Sequence, residues 1–551
     1  VTALSTTVPV SGPRSASRAG SLSGLGVLLR LALRRDKVML PVWVYAAIGS
    51  VAATAVSFRK LYPSTAAREQ FAASINTSSS LRALYGPVHD GSSIGGLTAW
   101  RMGAFGGVVV ALMSFLLVVR HSRAEEEAGR LELVGAGAVG RRAPLTAAVG
   151  TAVLGNVLVA VLIPVILIAL GERASGSIAF GVSLGAAGLV FTGTAAVAAQ
   201  LAETGRAANG LCGALLGLAF VVRAAGDAAG SNGPGWLVWL SPLGWTEQVR
   251  AYGGDRWWVV ALALGCAAGL TAAAYVLVGR RDLGAGLLPQ RPGPAVGAAW
   301  LRSPAALAWR LQRGSLIGWS LGFLIAGAVF GSLANGVLSL LQGNAQLEQI
   351  IRRMGGQQVL VDSYLATMTN LLGMVAAVYA VQAVLRLRGE ETGGRAEPLL
   401  ATAVSRLRWA GSHLAYPLAG SALLLLAGGL GTGVAAGAVL GDVGGRTTDL
   451  LGGALVQLPA VWFMAATAVA VVGLLPSRTS AAWGVLGGLL LIAYLGPVVH
   501  AGQWLLDLSP FTHVPRLPGS AFTVEPLLWL TVLAAALAAA GLAGLRRRDL
   551  G

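Results

Sequence analysis

Lysine is almost missing from this 551-residue chain: only Lys37 and Lys60 occur, and neither follows a glycine-rich turn. A P-loop needs lysine at the end of G-x-x-x-x-G-K-[ST] to reach the β- and γ-phosphates, so ATP hydrolysis by that device is excluded. Histidine is scarce too. His89, His121, His413, His500 and His513 stand apart with no H-x-x-x-H or His/Cys spacing, which leaves no metal site and no catalytic cluster. The two cysteines, Cys212 and Cys266, fall within apolar runs and suit packing better than a disulfide. Residues 1–20 lack the apolar core of a signal peptide and read as a disordered cytoplasmic tail.

Charge is the larger deficit. Asp, Glu, Lys and Arg make up 11% of the residues against 55% hydrophobic ones, where a soluble globular chain carries about 25% charge. Leu145–Leu170, Ala174–Ala202, Trp257–Gly279, Gly314–Leu347, Leu450–Ser477 and Pro526–Leu545 contain none of the four. Each can cross a hydrocarbon core of about 30 Å, which takes roughly 20 helical residues. One ionised side chain mid-span costs about 2.5–3.5 kcal/mol on insertion scales, so clean runs are what a bilayer selects.

The pattern predicts an all-α polytopic membrane protein of twelve spans. These are about Val38–Phe58, Trp100–Val119, Leu145–Leu170, Ile178–Gln200, Asn209–Ala229 and Trp257–Val278, then Ser315–Asn335, Thr367–Leu385, Leu414–Leu440, Leu450–Gly473, Ala481–Val499 and Pro526–Leu545. With the amino terminus inside, 27 of the 40 basic residues fall in cytoplasmic segments. That bias predicts both termini in the cytoplasm of a bacterium, the chain lying in its inner membrane. The net charge of +17 needs no nucleic acid, because no basic stretch is interleaved with aromatics. The 77 glycines and the excess of Arg over Lys read as GC-rich coding.

The chain also repeats itself. Arg123–Glu132 (RAEEEAGRLE) matches Arg388–Glu397 (RGEETGGRAE), and Arg141 then falls on Arg406. Ser241-Pro242 recurs as Ser509-Pro510, and Arg280–Gly284 (RRDLG) recurs as Arg547–Gly551. The offsets, 265, 268 and 267, agree on one duplication. The expected organisation is a tail at 1–20, a six-span repeat at 21–286, a linker at 287–299 and a second repeat at 300–551. Each repeat opens on a stretch mixing Arg with apolar residues, Leu22–Lys37 and Trp300–Arg313, which predicts an amphipathic elbow helix along the inner leaflet.

Seven of the 23 acidic residues cluster in two short loops, after the second and the eighth spans: Glu125, Glu126, Glu127 and Glu132, then Glu390, Glu391 and Glu397. Glu126 with Arg130, and Glu391 with Arg395, are spaced i,i+4, which supports a short charged helix. Such a helix, repeated, is what a permease presents to a cytoplasmic partner.

E-E-x-x-G-R-x-E followed by a small and apolar run and Arg resembles the membrane subunits of ABC-type exporters. It is most similar to the duplicated twelve-span permeases of the polyketide-antibiotic or tetronasin type in actinobacteria. Leu81–Pro87 (LRALYGP) and Leu97–Arg101 (LTAWR) carry the same resemblance. It implies ATPase-coupling helices at about Glu125–Gly135 and Glu390–Leu400, with Glu125, Glu126, Gly129, Arg130 and Glu132, and then Glu390, Glu391, Gly394, Arg395 and Glu397, as the coupling residues. It also implies re-entrant segments before the sixth and twelfth spans. By analogy two copies of a cytoplasmic P-loop ATPase would dock on one chain, with ATP and Mg on that partner, no cofactor and no metal in this chain, and lipid around it. The cargo implied is a small amphipathic molecule such as an antibiotic. Thr392 (for Glu127) and Pro398 (for Leu133) make the second loop different from the first.

Polar residues inside spans are candidates for a translocation path: Asn156, Arg223, Asp227, Asn370, Gln382 and Gln457. Arg223 and Asp227, one turn apart near the outer end of the fifth span, are also expected to pair while the Arg snorkels. The rival architecture is an ion-coupled secondary transporter with two six-span repeats. The acidic cytoplasmic loops have no role there.

Overall fold

The structure, a computed structural model, describes residues 21–135, 137, 139–229, 234–282, 284–288, 293, 295–334, 357–495 and 502–548. The expected tail at 1–20, Asn335 and 496–499 at the ends of two expected spans, and linker residues 289–292 and 294 lie outside them. The chain divides into two compact units, Val1–Pro292 and Gly293–Gly551.

In the first unit, α1 (Leu25–Arg35) is a short helix followed by α2 (Met39–Leu61), α3 (Thr65–Thr77), α4 (Ser79–Tyr85) and the long α5 (Ile94–His121). Two short helices, α6 (Arg123–Glu127) and α7 (Arg130–Gly135), lead to α8 (Ala143–Ala169), α9 (Ala174–Leu201) and α10 (Gly205–Ala229). A 3-10 turn at Gly235–Leu240 and α11 (Pro242–Gln248) precede α12 (Trp257–Val278). The polar punctuation sets these starts: Ser64, Ser78, Ser93 and Ser241 each accept a backbone N–H of the first turn that follows.

The second unit runs α13 (Pro304–Ser332), α14 (Gln357–Thr392), α15 (Glu397–Leu400), α16 (Arg406–Leu440), α17 (Val443–Leu455), α18 (Leu458–Leu474), α19 (Ala481–Leu495), α20 (Gln503–Leu506) and α21 (Glu525–Arg547). Among the described residues, eleven helical segments are long and apolar enough to cross a membrane, α17 and α18 counting as one. Of the expected eleventh span, Ala481–Val499, the described residues show α19 as far as Leu495. Tyr45, Ile317, Leu491 and Val532 lie more than half exposed on α2, α13, α19 and α21, as residues facing lipid do.

The two expected elbows differ. α1 stands apart from α2 because Asp36 and Lys37 interrupt them, Asp36 being buried against the end of α5. Trp300–Arg313 is not a separate helix: Pro304 opens a 29-residue helix that passes Arg313 unbroken. Nothing there plays the part of Asp36, and Gly314 is tolerated within the turn.

Glycine decides how closely the helices meet. On α9, a side-chain carbon at Gly188 would sit 1.9 Å from Asn156 Oδ1, and one at Gly185 would sit 2.8 Å from the Ala160 methyl on α8. On α13, carbons at Gly327 and Gly331 would each lie 2.2 Å from a carbonyl of α16, those of Gly428 and Thr432. Small-residue seams of this kind let backbones touch where lipid removes the hydrophobic drive for association. Coding bias alone does not place glycines in such register.

Candidate functional site

α5 ends at His121, and α6 turns the chain before Ala128 stops it. Gly129 then adopts φ +71°, and Gly394 does the same with φ +67° after the corresponding residues of the second unit. Only glycine enters this left-handed region without strain. The break places Arg130 beside Glu125 rather than Glu126: its guanidinium donates to both carboxylate oxygens at 2.7 and 2.9 Å. Arg395 likewise donates to Glu390, at 2.7 Å. The i,i+4 pairs expected from the sequence are therefore i,i+5 pairs, because the helix is interrupted between the partners.

Glu126 and Glu391 are turned inward. Glu126 receives Arg281 at 2.6 and 2.8 Å, the Gly284 backbone N–H at 2.7 Å and Arg123 at 3.2 Å. Glu391 receives Arg548 at 2.6 Å and Arg388 at 3.0 Å. Arg281 and Arg548 follow the last long helix of their own units. Arg141 donates to the Arg281 carbonyl at 2.6 Å, and Arg406 donates to the Arg548 carbonyl at the same distance. Arg123, wholly buried, further joins the carbonyls of Ala199 and Ala285. Each unit thus clamps the turn after its second helix to the end of its last one. Glu132 and Glu397 remain exposed.

The first unit adds ties the second lacks among the described residues. Arg35 of α1 reaches Glu125 at 2.6 Å, while Asp36 is held by Arg120 at 3.3 Å and by His121. α1 is therefore fastened to the turn.

At the other end of α5, Arg223 is fully buried and does more than pair with Asp227 (3.2 Å). It donates to Glu247 at 2.7 Å and to the carbonyls of Ala83 and Leu84 at 2.8 and 3.1 Å. Snorkelling to an exposed end is corrected by this geometry: α4 and α11 fold over the guanidinium and supply its acceptors. Glu247 escaped the sequence reading because it lies 24 residues from Arg223, in a short helix signalled only by Ser241-Pro242. Nearby, His89 packs in a loop where burial, then the positive charges of Arg250 and Arg256, pull its pKa down to about 4.

The remaining polar candidates are placed separately. Asn156 is buried and donates to Ser114 at 3.0 Å, Thr192 at 3.2 Å and the Ala152 carbonyl at 2.9 Å, joining α8 to α5 and α9. Gln457 is buried against Gly373, Asn370 is half-buried on α14, and Gln382 is exposed and accepts from Trp319 Nε1 at 3.2 Å. Among the described residues no group of three or more His, Cys, Asp or Glu is arranged to hold a metal ion.

Residues 301–546 match the family described as "Multidrug efflux system permease Rv1217c, C-terminal domain". Over 540 residues, 98% of this chain and 97% of the relative, the sequence is 46% identical to "Multidrug efflux system permease protein Rv1217c" of Mycobacterium tuberculosis (strain ATCC 25618 / H37Rv). A likeness of that identity over nearly the whole of both chains makes this chain a member of the Rv1217c family of multidrug efflux system permeases.

Proposed function

We propose that the chain is the membrane-spanning subunit of an ATP-driven exporter, energised by a separate cytoplasmic P-loop ATPase that engages the turns at Glu125–Gly135 and Glu390–Leu400. The observation that carries the reading is the clamp made twice, Arg281 on Glu126 and Arg548 on Glu391. A loop that merely kept itself solvated would not need buried ion pairing to the end of the last helix of its unit. A loop that transmits force does, because a push on it must move helices rather than bend the loop.

On this reading the chain is twelve spans in two parallel six-span repeats, 21–286 and 300–551, with both termini cytoplasmic, α1 as an elbow helix and two ATPase copies per permease. The cargo is a small amphipathic molecule, in keeping with the multidrug efflux named for the relative. Asn156, Arg223, Asp227, Asn370, Gln382 and Gln457 are the polar positions proposed to line or support its path. Glu125, Glu126, Gly129, Arg130, Glu390, Glu391, Gly394 and Arg395 shape the docking turns, and the exposed Glu132 and Glu397 face the ATPase.

The test is co-purification with a co-expressed P-loop ATPase. Glu132→Lys with Glu397→Lys should leave the permease inserted and monodisperse yet release the ATPase. Like-charge juxtaposition at a docked surface costs several kcal/mol, against about 0–1 kcal/mol for exposed pairs on a free loop. ATPase retention equal to wild type would remove the turns from the interface. ATP turnover by the isolated permease would overturn the reading entirely.

A further inference from the structure

α1 carries Arg30, Arg34 and Arg35 with no acidic residue, and Lys37 follows it. Arg30, Arg34 and Lys37 are exposed, as are the apolar Val27, Leu31 and Val38. Asp36, next along the chain, is buried and paired with Arg120 at 3.3 Å and with His121. α1 thus presents uncompensated positive charge and apolar surface together, at the level where α2 and α8 begin and α5 ends.

Behind it lies a cavity of about 290 Å³ between α1, the start of α8 and the Glu125–Arg130 turn. Leu28, Leu31, Pro144 and Ala147 form its apolar wall, and Arg35 and Arg130 stand at it with Glu125 between them. Both guanidiniums share that single carboxylate, at 2.6 Å from Arg35 and 2.7 Å from Arg130. Two cations on one anion leave one positive charge over. Arg130 is 54% exposed and Arg35 is 36% exposed, so each has donors to spare.

A ligand that satisfies this site must bring negative charge to the two arginines and hydrocarbon to the wall. A free inorganic anion uses only the first half. A zwitterionic lipid brings a second cation to a place that already has an excess. We propose that the cavity binds an anionic phospholipid, its phosphate on Arg35 and Arg130 and its first methylenes against Leu28, Leu31, Pro144 and Ala147. The helix-borne cluster of Arg30, Arg34 and Lys37 draws such lipids to the site.

The phosphate competes with Glu125 for the same two guanidiniums, so the lipid loosens the tie between α1 and the turn while Arg281 keeps its hold on Glu126. Lipid charge then sets how firmly the first turn is held. This regulatory half rests on the turn being the ATPase-coupling element; the binding half does not.

The experiment uses the full-length permease in detergent, with phosphatidylglycerol or phosphatidylcholine added and lipid retention read by native mass spectrometry. Wild type should retain phosphatidylglycerol about tenfold more strongly than phosphatidylcholine, and Arg35→Gln with Arg130→Gln should abolish that preference. Glu125→Gln, which frees both guanidiniums, should retain more phosphatidylglycerol than wild type. That opposite sign separates a lost site from a collapsed turn. Equal retention of the two lipids, displacement of phosphatidylglycerol by inorganic phosphate, or loss of retention in Glu125→Gln would each overturn the site. If no ATPase associates with the permease, the coupling reading fails while the retention measurement stands.

Discussion

Arg281 holds Glu126 with both terminal nitrogens of its guanidinium, at 2.6 and 2.8 Å, across a sequence separation of 155 residues. Parallel N–H···O bonds of this kind fix orientation as well as distance. The turn after α5 therefore cannot rotate about a single contact, and α12 must follow its movement. Glu391 accepts one such bond from Arg548, at 2.6 Å.

Removing one partner of a buried pair leaves an uncompensated charge and costs about 3–5 kcal/mol. Arg281→Ala and Glu126→Ala should each lower the apparent melting temperature in detergent sharply, and Glu391→Ala somewhat less. Glu132→Ala, on the exposed side of the same turn, should stay within about 0.5 kcal/mol of wild type. Fluorescence-detected size exclusion after heating would show it, and equal melting of Glu126→Ala and Glu132→Ala would mean that the clamp bears no weight.

The Arg223 cage makes a sharper case. Arg223→Ala leaves Asp227 and Glu247 buried without the guanidinium they share, and the expected loss is again about 3–5 kcal/mol. Arg223→Met combined with Asp227→Leu and Glu247→Met removes all three polar side chains, and should regain most of that loss. A triple variant no better than Arg223→Ala would show that the cage fixes geometry no apolar packing replaces.

His89 gives a pH dependence of known sign. Its pKa is about 4 in the folded chain against about 6.5 when unfolded. The unfolded state therefore binds the extra proton first as pH falls. Above pH 6.5 the residue costs nothing, and between pH 6.5 and 4 stability declines by up to about 3 kcal/mol. Hydrogen exchange in the segment from Gly86 to Asp90 should accelerate across that window, and His89→Phe should flatten the response.

Topology is testable by labelling in a background with Cys212 and Cys266 replaced by Ala. A cysteine at exposed Glu69, between α2 and α5, should react with an impermeant maleimide added to intact cells. One at exposed Leu288, after α12, should react only after permeabilisation. Reaction at Leu288 alone in intact cells would reverse the proposed orientation, and reaction at both positions would overturn their placement on opposite sides.

The long helices were legible because exclusion of charge is a one-dimensional signal: Leu145–Leu170 announces α8 without any neighbour being known. What depends on contacts across the chain was not. Glu126 and Arg130 look like partners by spacing, yet the glycine between them inverts the turn and hands Arg130 to Glu125. Arg280–Gly284 and its copy at Arg547–Gly551 were visible as markers of repetition, but nothing in their sequence says that Arg281 and Arg548 reach back to the acidic turns. The elbow before α13 misled for a related reason. Its composition matches that of α1, while the interruption at Asp36 depends on the Arg120 and His121 side chains that pair with its carboxylate, which composition cannot reveal.

The clamp also has a consequence for biosynthesis. Glu126 leaves the ribosome long before Arg281, and at about 5–20 residues per second the 155 residues between them take roughly 8–30 s to appear. Through that interval Glu126 has Arg123 beside it but not Arg281, and the clamp closes when α12 has entered the bilayer. A nascent permease halted before Arg281 would show its acidic turn open, and so could not offer a partner the closed surface. Completion of α12 is thus the moment at which assembly of the first unit becomes readable from outside.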